Sequence, residues 1–114
     1  MTTKHIGEHS FSLKKGSLTN KNFTIYDDYA NGVKRDLSIY NTAEMFVTDK
    51  RGGESLFTLA GTITQGTSNV SFDIPKSDTV NITHDAAFYT TVLSDSDDGS
   101  LDWKFLEGTI EFID

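Results

Sequence analysis

Two histidine motifs are the residues best suited to chemistry in this sequence. His84 precedes Asp85, the order of a general base and the carboxylate that orients it. A catalytic triad also needs a nucleophile and an oxyanion hole, and the chain contains no Gly-x-Ser-x-Gly elbow. His5 and His9 share one face of a strand, but at that spacing they lie about 13 Å apart, too far for one metal ion. We therefore expect no enzyme activity, no catalytic residue and no bound cofactor.

A group of aspartates near the C-terminus is the remaining candidate metal site. Asp95, Asp97 and Asp98 precede Gly99, in a loop that superficially resembles a calcium-binding loop. An EF-hand loop with glycine at its sixth position needs acids at the first and third positions, where this chain has serine. We expect a solvated hairpin tip here, with a weak calcium site at Asp95, Asp97 and Asp98 as the alternative.

Composition indicates that these residues belong to one small domain. The chain has 114 residues and no cysteine, so it is the usual size of one domain and cannot form a disulfide. We expect residues 1–114 to form a single domain, with residues 1–7 as a flexible arm. No window approaches the roughly 18 apolar residues of a membrane span. The formal net charge of -7 argues against nucleic-acid binding, which needs a basic surface.

The charge is unevenly distributed along the chain. Residues 1–51 contain eight Lys and Arg against six Asp and Glu, a balance of +2. Residues 52–114 contain two Lys against eleven Asp and Glu, a balance of -9. A solvated acidic surface explains this split, and so does a subunit whose basic part docks on the acidic part of a neighbour.

Alternation of apolar and polar residues recurs along the whole chain and is typical of strands with one buried face. The inward positions are Phe11 and Leu13; Phe23 and Ile25; Ala43, Met45 and Val47; Phe57, Leu59, Gly61 and Ile63; Val70, Phe72 and Ile74; Ala87, Tyr89, Thr91 and Leu93; Leu101, Trp103 and Phe105; Ile110 and Phe112. Turn residues such as Asn31-Gly32 and Arg51-Gly52-Gly53 separate these runs. The pattern predicts an all-β, antiparallel two-sheet sandwich of seven to eight strands.

Two local departures from strand structure are also expected. Residues 75–79 begin with proline and lack an apolar stripe, so they are the best candidate for a single turn of helix. The inward residues of the last strand occupy odd positions up to Phe105 and even positions from Ile110. A β-bulge at Gly108 would return both sets to one face.

Further apolar residues fall on the opposite face of their strands, where apolar side chains are covered in a subunit interface. We take these as interface candidates: Phe46, Phe88, Val92, Leu106 and Ile113. Aromatic side chains can instead stack on sugar rings, and six suit that role: Tyr26, Tyr29, Tyr40, Phe46, Phe88 and Trp103. A carbohydrate site would require at least two of these aromatics to be exposed in one shallow groove.

Several strand motifs resemble a known family. They are residues 59–63 (Leu-Ala-Gly-Thr-Ile), 68–74 (Ser-Asn-Val-Ser-Phe-Asp-Ile), 87–93 (Ala-Phe-Tyr-Thr-Thr-Val-Leu) and 105–112 (Phe-Leu-Glu-Gly-Thr-Ile-Glu-Phe). Together with the Asp-Gly turn at 98–99, this pattern resembles the immunoglobulin-like β-sandwich domains of tailed-phage structural proteins, such as the N-terminal domain of baseplate upper proteins. The resemblance covers residues 36–113 and supplies no catalytic residue.

The resemblance implies a non-enzymatic virion subunit of the tail, baseplate, neck or capsid accessory apparatus that acts through protein–protein contacts. Its partners would be other virion proteins and further copies of itself, with no nucleic acid and no membrane. It would be located in the virion, and in the host cytoplasm during assembly. The alternative function is a carbohydrate-binding β-sandwich module involved in host-surface recognition.

Overall fold

The computed structural model describes residues 7–28, 30–64, 66, 68–95 and 98–113. They form ten strands and one short helix: β1 (Gly7–Glu8), β2 (Phe11–Lys14), β3 (Thr19–Thr24), β4 (Tyr26–Asp28), β5 (Val33–Lys34), β6 (Thr42–Thr48), β7 (Ser55–Thr64), β8 (Asn69–Ile74), α1 (Lys76–Thr79), β9 (Ala86–Asp95) and β10 (Asp98–Ile113). The all-β prediction is confirmed. Ten strands are described, whereas seven to eight were expected. The difference comes from β1, β4 and β5, which are only two or three residues long.

The main sheet has the strand order β1-β10-β9-β6-β7-β8-β3, and β2 also pairs with β10. Strand β7 joins its two parts, because residues 55–60 pair with β6 whereas residues 61–64 pair with β8. Strands β4 and β5 form a separate two-stranded pair. Strand β3, at one end of the order, and β10, near the other, line one cavity, so the sheet curves back on itself.

The N-terminal strands differ from the purely antiparallel arrangement that we expected. Strand β1 pairs in parallel with Leu106 and Glu107, and β2 pairs in parallel with residues 110–113 of β10. Alternation within a strand carries no information about the direction of its partner. Strand β1 begins at Gly7, where we expected the flexible arm to end, and residues 1–6 lie outside the described residues.

The core confirms most of the predicted inward positions. Fully or nearly buried residues alternate along β6, β8, β9 and the end of β10, as in the burial pattern of β6. The buried set is Leu13, Ile25, Leu37, Tyr40, Ala43, Met45, Val47, Phe57, Leu59, Val70, Phe72, Ile74, Ala87, Tyr89, Leu93, Phe105, Ile110 and Phe112. Leu37 and Tyr40 were not predicted, because they lie outside the strands in a turn closed by the Tyr40 N–H donating to the Leu37 carbonyl (3.0 Å).

The bulge in β10 lies at Phe105 and not at Gly108. Lys104 is opposite Val92 and Leu106 is opposite Thr91, so Phe105 is the additional residue. Gly108 pairs in register with Tyr89. The bulge brings the odd-numbered and even-numbered inward residues to one face, as expected, because Phe105, Ile110 and Phe112 are all buried.

Gly108 is required by a close backbone approach. A Cβ atom at this position would lie 2.0 Å from the His9 carbonyl oxygen and 3.2 Å from the Tyr89 ring. The buried Tyr89 hydroxyl donates a hydrogen bond to the same carbonyl, and the His9 N–H donates to the Glu107 carbonyl (3.0 Å). Burial raises the pKa of the Tyr89 hydroxyl above its ordinary value. These contacts attach the β1–β2 segment to β9 and β10.

The local predictions for the helix and turns are also confirmed. Helix α1 spans Lys76–Thr79 and follows Pro75, as expected for one helical turn. Gly32 and Gly52 have φ values of 69° and 71°, the conformation for which glycine is favoured in turns. Among the described residues, no helix is both long and apolar enough to cross a membrane.

Candidate protein-interaction face

The outer side of β6, β9 and β10 presents an apolar patch that the core does not use. Phe46 is 39% exposed, although its neighbours Met45 and Val47 in β6 are fully buried. Phe46 lies opposite Thr90 of β9, which places Val92 diagonally beside it. A groove of about 450 Å³ follows this surface, lined by Glu44, Phe46, Val92, Ser94, Asp102, Trp103 and Lys104. We call it the Phe46–Val92 face.

Opposite charges flank the apolar centre of this face. Val92 lies directly between Glu44 of β6 and Lys104 of β10 in the strand register. The three side chains therefore form one row across the sheet in the order acid, apolar, base. In a face-to-face pair, a two-fold axis parallel to the strands and centred over Val92 would place Glu44 of each copy opposite Lys104 of the other. The row is thus complementary to a second copy of itself.

Phe88, on the same strand as Val92, is covered by the hairpin between β6 and β7. The Arg51 guanidinium carbon lies 4.5 Å from the centre of the Phe88 ring. Its two terminal nitrogens donate to the Glu107 carboxylate at 3.2 and 3.1 Å, a bidentate ion pair. Arg51 therefore covers Phe88. The accessible apolar part of the Phe46–Val92 face consists of Phe46 and Val92.

Two of the five interface candidates lie away from this face. Leu106 packs against the core, because the bulge at Phe105 shifts the alternation of β10 by one residue and turns Leu106 inward. This corrects the outer position that strict alternation assigned to Leu106. Ile113 is 48% exposed, but it lies at the end of β10 opposite Lys14 of β2. The structure therefore brings together Phe46, Phe88 and Val92.

The residues suited to chemistry are not assembled into a site. His84 and Asp85 are both exposed, and the Asp85 carbonyl accepts a hydrogen bond from the Phe112 N–H (2.8 Å). His5 lies outside the described residues. Across the described ranges, no group of three or more metal-binding side chains is close enough to hold an ion.

The proposed calcium ligands are only partly described. Asp95 accepts a hydrogen bond from Asn41 Nδ2 (3.4 Å), and its backbone lies opposite that of Asp98 in the β9–β10 hairpin. Asp97 and the side chain of Asp98 lie outside the described residues. The weak calcium site therefore stays a prediction.

A second cavity, of about 730 Å³, lies between β3 and β10, and we call it the β3–β10 groove. It contains two of the aromatics considered for sugar binding, Tyr26 and Trp103, both partly exposed. Its lining residues are His9, Lys21, Asn22, Phe23, Thr24, Ile25, Tyr26, Trp103, Phe105 and Leu106. Phe46 and Phe88 are on the other face, Tyr40 is buried, and Tyr29 lies outside the described residues.

Trp103 is already packed by side chains of its own chain. The Arg35 guanidinium carbon lies 4.2 Å from the centre of the indole, and the Tyr40 ring stacks on it with centres 6.2 Å apart. A sugar ring binds an aromatic side chain through the open face of the ring. Arg35 covers one such face, so stacking a sugar on it requires Arg35 to move.

Glu44, Lys104 and Lys21 were not predicted as site residues from the sequence. Glu44 and Lys104 were interpreted only as polar, outward-facing residues of their strands. Their alignment with Val92 depends on the pairing of β6, β9 and β10. Lys21 was treated in the same way, although it faces inward on β3, at one end of the sheet order. Knowledge of the strand order was needed to recognise all three.

No protein-family model and no curated protein matches this chain. Among solved structures, the chain is similar to the extracellular domain of mouse leukocyte-associated immunoglobulin-like receptor 1, crystallised as a strand-swapped dimer. The two are 9% identical, with a TM-score of 0.49 over 92% of this chain and 88% of that chain.

Proposed function

We propose that this protein is a non-enzymatic structural subunit of a phage virion and that it acts through protein–protein contacts, including contacts with copies of itself. The observation that carries the proposal is the Phe46–Val92 face. An exposed phenylalanine on a sheet whose other side forms the core is typical of a surface that is covered on association. The Glu44–Val92–Lys104 row favours a second copy as the partner, because both charges find their complement in a two-fold pair.

We further propose that the domain is a two-sheet, immunoglobulin-like β-sandwich. Strand β7 changes partner from β6 to β8, which is how a strand passes between two sheets. Strands of both parts contribute to one buried cluster, such as Met45 of β6 and Phe72 of β8. In this architecture the outer side of β6, β9 and β10 is available for association.

Self-association through this face can be measured by sedimentation velocity over a wide range of protein concentrations. We expect the wild type to dimerise and Phe46→Glu to remain monomeric, because the variant places a charge in the apolar centre. Ile39→Glu is the matched control, since Ile39 is also exposed but lies in the turn before β6. A wild type that is monomeric at every concentration contradicts the proposal.

The charged row allows a test that separates association from folding. Glu44→Lys and Lys104→Glu should each weaken self-association by about tenfold, because each places like charges opposite one another in the homodimer. An equimolar mixture of the two variants should associate again, since one face is then basic and its partner acidic. If the mixture associates no better than either variant alone, the row is not at the interface.

The virion setting is supported by the sequence resemblance. It predicts that this chain is a stoichiometric component of phage particles and binds another tail, neck or capsid protein. Mass spectrometry of particles purified after induction of a genome carrying the gene tests this. Absence of the chain from such particles would contradict the virion setting while leaving self-association unaffected.

A carbohydrate-binding module is the second candidate, and the presence of Tyr26 and Trp103 in one groove favours it. The contact of Arg35 with the indole weighs against it. Binding of neutral or acidic oligosaccharides on a glycan array, abolished by Trp103→Ala, would support this function over the first.

A further inference from the structure

The β3–β10 groove is bordered by two strand edges with no neighbour among the described strands. Strand β3 is at one end of the strand order and pairs only with β8. Strand β10 pairs with β1 and β2 only from Leu106 onward, so its earlier residues have β9 on one side and none of the described strands on the other. Unpaired backbone N–H and C=O groups at such edges form hydrogen bonds readily with an added strand.

The described side chains of this groove differ in charge from the chain as a whole. The chain carries seventeen acidic and ten basic residues, but the side chains that the structure describes in the groove include Lys21 and His9 and no carboxylate. The Lys21 ammonium lies 4.7 Å from the centre of the Phe11 ring and 5.9 Å from that of Phe23. The groove therefore combines a cation with an apolar floor that contains Phe23, Phe105 and Leu106.

Lys21 also determines which strands the β3 edge can accept. A charged side chain that points inward on an edge strand opposes pairing with an apolar strand, because pairing would bury the charge without a partner. A strand that brings a carboxylate to Lys21 removes this penalty and adds a charge-assisted hydrogen bond.

We propose that the β3–β10 groove binds an extended acidic peptide segment of a partner protein, which adds as a strand to β3. Its backbone pairs with the free edge of β3, an apolar side chain enters the cavity beside Trp103, and a carboxylate contacts Lys21. This site shares Trp103 with the Phe46–Val92 face, but Lys21 belongs to this site alone and Phe46 to the other alone, so each can be tested without altering the other.

Trp103 is the only tryptophan of the chain and lines both the groove and the Phe46–Val92 face, so its fluorescence is followed in Phe46→Glu, in which self-association is removed. An end-blocked peptide with the repeat Glu-Thr-Val-Thr, which brings glutamate and valine to the same face of a strand, serves as the probe, and the repeat Lys-Thr-Val-Thr as its control. We expect saturable binding of the acidic peptide alone, weakened by added salt because the attraction to Lys21 is screened. Methylation of alternate peptide nitrogens should also weaken it, because the methylated backbone cannot pair with β3.

Lys21→Glu should weaken binding of the acidic peptide by about tenfold, the loss expected for one charge-assisted hydrogen bond. Lys76→Glu is the matched control, because it makes the same charge change on α1, outside the groove. Equal affinity for both peptides, or an acidic peptide that binds Lys21→Glu as well as the wild type, would overturn the proposal. Binding of hyaluronan oligosaccharides in place of the peptide would also overturn it, in favour of an acidic carbohydrate.

Discussion

At the scale of single residues, Gly108 shows how one backbone contact constrains the chain. Its missing side chain allows the His9 carbonyl to approach β10 and reach the Tyr89 hydroxyl. Glycine is therefore required at position 108 because there is no space for a side chain. The sequence pattern predicted instead that this glycine forms a bulge. Any larger side chain would push the β1–β2 segment away from the sheet.

We predict that Gly108→Ala lowers the free energy of unfolding by at least about 1–3 kcal/mol, the usual cost of overpacking. The new methyl group would overlap the His9 carbonyl, which is backbone and cannot rotate away. Urea unfolding followed by circular dichroism measures the change. Gly66→Ala is the control, because a Cβ at Gly66 meets no atom within 4 Å and should alter stability by less than about 0.5 kcal/mol. Equal stability of the two variants would contradict the prediction.

At the scale of elements, alternation predicted which side of each long strand is buried, but it did not predict partners. Tyr89 and Leu93 were assigned correctly, because β9 is paired on both sides and has one face in the core. Leu106 was assigned to the wrong face, because the extra residue of β10 lies at Phe105 and not at Gly108, so the alternation reverses before Leu106 and not after it. The parallel pairing of β2 joins residues nearly a hundred positions apart, and no local pattern records such a contact.

Tyr89 connects elements, since it lies in β9 and its hydroxyl holds the segment between β1 and β2. We expect Tyr89→Phe to lower stability at neutral pH by about 1–2 kcal/mol, because the His9 carbonyl loses its hydroxyl donor. Hydrogen exchange should quicken at the His9 amide while amides of β6 stay protected. Equal acceleration in both strands would indicate global destabilisation and contradict a local role.

The same variant has a defined pH dependence. Because burial raises the pKa of Tyr89 above 10.0, its stabilising effect is complete below pH 10 and is lost as the pH rises further. The wild type should therefore lose stability in alkaline solution faster than Tyr89→Phe, and the difference between them should shrink. Urea unfolding at neutral pH and above pH 10 measures it. A constant difference would show that Tyr89 ionises equally in the folded and unfolded chains.

At the scale of the whole molecule, two sites each combine charge with apolar surface. The Phe46–Val92 face suits a second copy, whereas the β3–β10 groove offers a cation in a chain of net charge -7. The uneven charge along the sequence left two explanations open, a solvated acidic surface and basic and acidic parts that meet across copies. The row of Glu44, Val92 and Lys104 does not follow from this split, because Glu44 lies in the basic half of the sequence and Lys104 in the acidic half.

Dimerisation makes thermal stability depend on protein concentration, because association favours the folded state by mass action. We predict that the midpoint of thermal unfolding rises by about 3 °C for each tenfold increase in concentration above the dissociation constant. Differential scanning calorimetry at several concentrations measures this. Phe46→Glu should show no such dependence, and an equal dependence in both proteins would place the interface elsewhere.

The parallel pairing of β2 with β10 has a mechanical consequence. Gly7 lies beside Leu106 and Lys14 lies beside Ile113, so the two ends of the described chain leave these paired strands in opposite directions. Tension applied through the ends slides the strands along each other and loads all of their hydrogen bonds at once. Peeling an antiparallel hairpin open breaks its bonds one after another at lower force. A domain that is pulled by its two ends therefore has these strands loaded in shear, the arrangement that resists the larger force.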